Sequence, residues 1–302
     1  MNIEDRTQNY RLAIEASIER FISDEADKKQ IPPKLYEAMT YSLRAGGKRV
    51  RPMLCLAGAD LSGTEGISDR ILPMAVNLEF FHTSTLILDD LPCMDNDALR
   101  RGKPTCHVVH GEALALLAGV ATHLWGMRHA IEGLIKNQIP LENIVNALII
   151  FLESAGASGV YGGQSLDIDT EKEKDVEDII ITTSMKTGDL VKASVKTGAV
   201  LAGISGEELK SVDSYGYYLG TCFQIVDDIL DETATAALLG KTPGKDKEQG
   251  KNTFVSLLGV KEARLLAKNC TDRAISALNS SFSGENGEFL REFARKLLDR
   301  AF

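Results

Sequence analysis

One stretch of this 302-residue chain constrains its fold more than any other. Residues 71–91 are apolar almost throughout, apart from Asn77, Glu79 and a few hydroxyls, and the run closes on Asp89-Asp90. A helix that is apolar on all sides is a buried helix. The rest of the chain must supply what surrounds it, and something must explain two carboxylates at its end.

The remaining pattern is helical. Residues 8–23 form an amphipathic segment with Leu12, Ile14, Ile18 and Phe21 among its apolar positions. A polar stretch, Ser23–Gln30, ends at Pro32-Pro33. A second helix follows, with Leu35, Met39 and Leu43 one turn apart. Further helices are expected over 112–136, 141–168, 172–203, 207–232, 259–280 and 286–301. Thr233–Lys251, rich in Gly and Lys, reads as a functional surface loop. No strand-type alternation, repeat or low-complexity segment occurs. The expected architecture is one compact all-α domain over residues 1–302.

Composition narrows the function. A net charge of −9 gives no broad basic footprint for nucleic acid. The five cysteines are odd in number and contain no C-x-x-C pair, so buried, reduced thiols are expected rather than disulfides or zinc. The N-terminus lacks the pattern of a secretory signal. No uncharged apolar run reaches the roughly 20 residues of a bilayer span. The expectation is a cytoplasmic protein without stable membrane insertion.

Two aspartate groups stand out. The first is Asp89-Asp90-Leu-Pro-Cys-Met-Asp95, at the end of the buried helix. Carboxylates are disfavoured at the negative end of a helix dipole unless a cation sits there. The second is Asp227-Asp228-Ile-Leu-Asp231. Helical spacing puts Gln224, Asp227, Asp228 and Asp231 on one stripe. Carboxylates so close repel each other, and a hard divalent metal relieves that cost.

Cations accompany them. Gly46-Gly47-Lys48-Arg49-Val50-Arg51-Pro52 sets three positive charges beside flexible backbone. Arg100-Arg101-Gly102-Lys103 follows the first aspartates, and Lys186-Thr187-Gly188 and the Lys241–Lys251 loop add more. Guanidinium groups grip phosphate oxygens bidentately and lysine adds point charge. Carboxylates for metal plus separate cationic runs suit a site for two diphosphates.

These runs, with Leu-Arg-Arg-Gly-Lys-Pro-Thr-Cys-His at 99–107, Gly-Gly-Gln at 162–164 and Phe-Gln-Ile-Val-Asp-Asp-Ile-Leu-Asp at 223–231, lie in one order along the chain. In that order, over roughly residues 35–260, the chain resembles the trans-isoprenyl diphosphate synthase family, which includes farnesyl and geranylgeranyl diphosphate synthases. The resemblance implies a single large all-α bundle of the isoprenoid synthase type around a central deep cavity, usually a homodimer. It implies metal binding by Asp89, Asp90 and Asp95 and by Asp227, Asp228 and Asp231, with three Mg²⁺ ions bridging them to an allylic diphosphate. It assigns isopentenyl diphosphate to Lys48, Arg51, His82 and Arg101. It assigns the allylic diphosphate to Arg100, Lys186, Thr187, Gln224, Lys241 and Lys251. The catalytic set implied is Asp89, Asp90, Asp95, Arg100, Lys186, Asp227 and Asp228. Without the resemblance, His82 reads as a satisfied core histidine. The implied reaction is ionisation, condensation and elimination.

Product length has a physical handle. Ser84 and Thr85 lie one turn before Asp89, where members that stop at fifteen carbons often carry an aromatic ring. Both are small, so the tunnel is expected to continue to Phe81 as its floor. The expected product is geranylgeranyl diphosphate, with farnesyl diphosphate the alternative. Three positions depart from the family pattern: Val120 where Asp is common, Leu88 where His is frequent, and Asp189 where a small apolar residue is usual. A terpene cyclase is disfavoured by the Asp-Asp-Ile-Leu-Asp second motif. A non-catalytic subunit commonly loses aspartates from one motif, and both are intact. A purely structural helical protein leaves the buried aspartates unexplained.

Overall fold

The computed structural model describes residues 3–28, 30–169, 175–233 and 253–300. It is all-α. The helices are α1 (Ile3–Lys28), α2 (Pro33–Leu43), α3 (Val50–Asp60), α4 (Ile67–Asp89), α5 (Cys106–His110), α6 (Glu112–Lys136), α7 (Leu141–Ala155), α8 (Val160–Ile168), α9 (Val176–Thr183), α10 (Asp189–Leu201), α11 (Gly206–Thr233), α12 (Phe254–Asn279) and α13 (Glu285–Asp299). The strands described are β1 (Leu99–Arg100) and β2 (Lys103–Pro104), which pair as a short antiparallel ribbon.

Several elements differ from expectation for local reasons. Helix α3 starts at Val50, three residues after Gly47; Gly46 and Gly47 have φ angles of 82° and 149°. Those glycines read in sequence as loop and hide the helix behind them. The helix expected over 141–168 is two, parted by a turn around Gly156 and Gly159. The one expected over 172–203 is interrupted by a π-helical turn, Ser184–Gly188. An aspartate capping box starts α9: Asp178 N donates to Asp175 Oδ1 at 2.9 Å. Helix α12 starts before the expected 259, on a Thr253 capping box, and kinks at Gly259 (φ 76°). The ribbon was missed because four residues are too few to show alternation.

By internal contacts the chain falls into two compact units. One holds Met1–Met53 and Asp69–Ile139, the other Leu54–Ser68 and Pro140–Phe302. In the first, an aromatic core joins α1, α4 and α6. Phe21 meets Phe80 at 5.7 Å, Trp125 at 4.8 Å and His129 at 4.0 Å between ring centroids. Burying one such ring contributes about 1.5–3 kcal/mol. Glu25 is buried beside them, and it accepts from Arg128 and from Trp125 Nε1 (3.3 Å). In the second, α11 lies against α10 and α12. Buried Tyr215 donates its hydroxyl to the Leu290 carbonyl at 2.7 Å.

Four of the five cysteines are buried, and all five are free thiols. Burial pushes Cys55 up to about 12. Two helical stretches, Ile67–Asp89 and Leu141–Ile168, are long and apolar enough to cross a membrane by length and composition. The first is 67% buried within the protein, as a core helix should be. Helix α6 carries an outward apolar row of Leu117, Val120, Leu124 and Ile135. Helix α7 exposes Leu141, Val145, Ile149 and Leu152.

The aromatic core sets a pH dependence. Burial holds His129 down to about 4, and its Nε2 has no hydrogen-bond partner. Its contribution is complete above the ordinary histidine value near 6.5. It is lost as pH falls towards 4, because only the unfolded chain takes the proton. His82 and His123 are also lowered by burial and act with the same sign. In urea denaturation, His129→Phe is expected to remove up to about 2 kcal/mol of the stability lost between pH 7.5 and pH 5. An unchanged slope would show that His129 is not held neutral.

Candidate active site

The first aspartate group begins where α4 stops. The chain folds back on the helix end, with Asp95 N donating to the Asp89 carbonyl (2.8 Å) and Asp97 N to the Asp90 carbonyl (3.2 Å). Asp90 is only 3% exposed. The β1–β2 ribbon brings Arg100 onto it: Nε donates to Asp90 Oδ1 at 3.0 Å, and Nη2 donates to Asp90 Oδ1 and to Asp97 Oδ2 (3.0 Å). Burial pushes the Asp90 carboxyl up, and Arg100 pulls it back. A cation does sit at this helix end, as the dipole argument requires, and here it is the protein's own arginine.

Arg101 turns the other way, because its backbone is left-handed (φ 54°). Its guanidinium donates to the Gly46 carbonyl and lies 3.8 Å from Glu79 Oε1. His82 stands in the same unit. Burial first, then the charges of Arg51, Arg101, Arg100 and Arg49, hold it well below 6.5. Both effects favour its neutral form. Lys48 is exposed and Arg51 half-buried. The structure thus gathers Arg51, His82 and Arg101 into one electrostatic neighbourhood without a carboxylate ligand expected of a metal.

Ser84 and Phe81 are fully buried, and Thr85 is 9% exposed. Ser84 Oγ donates to the Phe81 carbonyl (2.8 Å) and Thr85 Oγ1 to that of His82 (2.9 Å). Both hydroxyls are turned back on their own helix. The Phe81 ring packs edge-on to His123 of α6, with centroids 4.8 Å apart.

The second aspartate group lies near the end of α11. Its members are not equivalent. Asp228 is 6% exposed and both its oxygens are taken: Oδ1 accepts from Gln224 Nε2 (2.7 Å), Oδ2 from Phe254 N (2.9 Å). It caps the start of α12. Asp231 is 7% exposed, while Asp227 keeps a side chain 42% exposed with Arg300 at 3.7 Å. Gln224, expected to face substrate, donates to Asp228 from one turn earlier on the same helix.

Lys186 and Thr187 lie on the π-helical turn. Lys186 Nζ donates to Asp167 Oδ2 at 2.6 Å. The turn packs on α8 through Gly163, where a Cβ would meet Lys186 N at 2.2 Å. Only glycine permits that approach. The next residue, Gln164, is 7% exposed and neither amide atom has a hydrogen-bond partner. A buried orphan amide of this kind marks a place for water or ligand. Sequence reading gave no role to Gln164, Asp167, Glu79 or Arg49, although the Gly-Gly-Gln triplet pointed to the first. Lys241 and Lys251 lie outside the described residues.

The polyprenyl synthetase family model matches residues 32–281. The chain is 40% identical over 277 residues to a dimethylallyltranstransferase of Fischerella ambigua, covering 90% of this chain and 77% of that one. It is 42% identical over 258 residues to heterodimeric geranylgeranyl pyrophosphate synthase large subunit 2 of Arabidopsis thaliana, covering 84% and 67%. Among solved structures it resembles a geranyltransferase of Helicobacter pylori complexed with magnesium and isoprenyl diphosphate, with a TM-score of 0.77, 32% identity and 95% of each chain covered. The chain belongs to the polyprenyl synthetase family.

The unequal aspartates can be told apart by stability. Asp228→Asn is expected to cost about 1–2 kcal/mol in denaturant unfolding, through the lost charge at the α12 cap. Asp227→Asn should stay within about 0.5 kcal/mol of the parent, as an exposed side chain does. Equal losses would mean that Asp228 has no special structural part.

Proposed function

We propose that this prenyltransferase condenses isopentenyl diphosphate with an allylic diphosphate and makes mainly geranylgeranyl diphosphate. The observation that carries the reading is that burial and the charges of Arg51, Arg101 and Arg100 hold His82 below the ordinary histidine value, in the unit that also presents Asp89, Asp90 and Asp95. Such a cluster suits a diphosphate, whose charge the guanidinium groups would match. A neutral imidazole adds a hydrogen bond without adding repulsion.

The donor chemistry fits magnesium. Among the described residues no three Asp, Glu, His or Cys side chains converge on one ion. Magnesium does not require that, since it keeps waters and binds through one or two carboxylates plus substrate phosphates. In the first unit Asp89, Asp90 and Asp95 would hold it, Asp90 being paired here with Arg100. In the second unit Asp227, Asp228 and Asp231 would hold it, with Asp228 also supporting the start of α12. When bound, magnesium supplies positive charge to the leaving diphosphate.

The chain's own residues do the rest. Lys48, Arg51, His82 and Arg101 hold isopentenyl diphosphate. Lys186 and Thr187 grip the allylic diphosphate, joined by Arg100, Lys241 and Lys251. The allylic C–O bond breaks and diphosphate leaves with the electron pair. The double bond of isopentenyl diphosphate attacks the carbocation, and the released diphosphate takes the proton that restores the alkene. The small Ser84 and Thr85 leave room for the growing chain, and Phe81 closes the path. We read the chain as one polyprenyl synthase unit. The exposed apolar row of α6 favours a homodimer, and the free thiols favour a reducing setting such as the cytoplasm.

The test is product mass. Purified protein with Mg²⁺, isopentenyl diphosphate and dimethylallyl, geranyl or farnesyl diphosphate should yield a twenty-carbon diphosphate, and Phe81→Ala should yield longer chains. A fifteen-carbon product would keep the enzyme and reject the tunnel argument. No product from folded protein would favour a non-catalytic subunit.

A further inference from the structure

Arg49 sits between two residues read as diphosphate ligands, yet it points the other way. Its backbone is left-handed (φ 51°), which sends its side chain inward while Lys48 stays exposed. The residue is 2% exposed, and the guanidinium is almost fully engaged. Nε and Nη2 donate to the two oxygens of Glu15 at 2.9 and 3.2 Å, and Nη2 donates to the Leu43 carbonyl at 3.1 Å. Nη1 donates to Glu79 Oε1 at 2.6 Å.

Glu79 is 1% exposed and lies one helical turn before His82 on α4. The same Oε1 also faces Arg101 Nη2 at 3.8 Å. Arg101 in turn donates to the Gly46 carbonyl, and its guanidinium carbon lies 2.9 Å from where a Cβ on Gly47 would stand. One buried carboxylate therefore ties together three elements: the Gly46–Arg51 segment through Arg49, the ribbon through Arg101, and α4 beneath His82. These elements carry Lys48, Arg51, His82 and Arg101.

We propose that Glu79 and Arg49 are positioning residues for the isopentenyl diphosphate pocket, acting through Arg101 and the Gly-Gly-Lys segment without touching substrate. The proposal rests on the reading that this pocket takes isopentenyl diphosphate. Burial lowers the Arg101 pKa, and Glu79 opposes that, with the group charged throughout. The buried guanidinium of Arg49 and the half-buried one of Arg101 share this carboxylate, so loss of its charge frees Arg101 to turn towards solvent. Displacement of a ligand group by about 1 Å is enough to cost up to about a hundredfold.

Glu79→Gln keeps the shape and removes the charge. Gly47→Ala keeps every charge and displaces the Arg101 guanidinium. In both, KM for isopentenyl diphosphate should rise about tenfold or more, with KM for the allylic substrate and kcat within about threefold. Calorimetry with isopentenyl diphosphate alone should show the same loss of affinity. Glu15→Gln, at a half-exposed site, should give a smaller rise and serves if Glu79→Gln does not fold. If the parent binds isopentenyl diphosphate and the variants bind it equally, or lose both substrates and kcat together, positioning is refuted. If the parent itself binds none, the functional reading falls first and takes this inference with it.

Discussion

The structure turns on a carboxylate buried where a carboxylate is least welcome. Asp90 is almost fully inaccessible and follows the C-terminus of α4, a largely buried helix. The helix dipole and burial both oppose its charge. An unpaired charge there would be neutralised or would destabilise the fold by several kcal/mol. The ribbon exists to answer this: its tight turn, with Arg101 and Gly102 both at positive φ, delivers Arg100 to Asp90 and Asp97. The same turn directs Arg101 in the opposite direction. One constraint at a helix end thereby produces two neighbouring arginines with separate tasks.

A second buried carboxylate follows the same physics with a different outcome. Glu79 lies within α4 rather than at its end, and its counter-charge comes from Arg49. Pairs of this kind contribute little net stability against apolar replacements, yet breaking one costs about 3–5 kcal/mol. Such a pair pins geometry more than it adds stability. That is what a pocket for a charged ligand needs, because loose cations would repel one another before the ligand arrived.

Much of this was legible in the sequence, and the failures are informative. The long apolar stretch, the aspartate groups and most helices follow from period and composition. Arg49 was not separable from Lys48 and Arg51, because a run of cations says nothing about which side chain turns inward. That depends on one left-handed φ angle, which no spacing reveals. Asp228 was not separable from Asp227 for a similar reason. The two are adjacent on one helix, but only Asp228 meets the free N–H at the start of α12, a contact 26 positions away. The hydrogen bond from Gln224 Nε2 to Asp228 Oδ1 is likewise a contact that helical spacing allows but does not single out. The π-helical turn was invisible because its residues favour an ordinary helix equally well, and tertiary packing against Gly163 decides the matter.

The three departures from the family pattern find places outside the chemistry. Leu88 lies over Gly119, where α4 and α6 approach each other, so an apolar side chain there seals a helix contact. Val120 is 51% exposed and extends the outward apolar row of α6. Asp189 opens α10 just after the π-helical turn and pairs with Lys192 at 2.8 Å, a favourable charge at a helix N-terminus. Each change is compensated by the element that carries it. None alters a side chain that reaches Asp90, His82 or Lys186. Leu88 acts at a helix contact and Asp189 at a helix start, while the buried pairs of Asp90 with Arg100 and of Glu79 with Arg49 rest on other side chains.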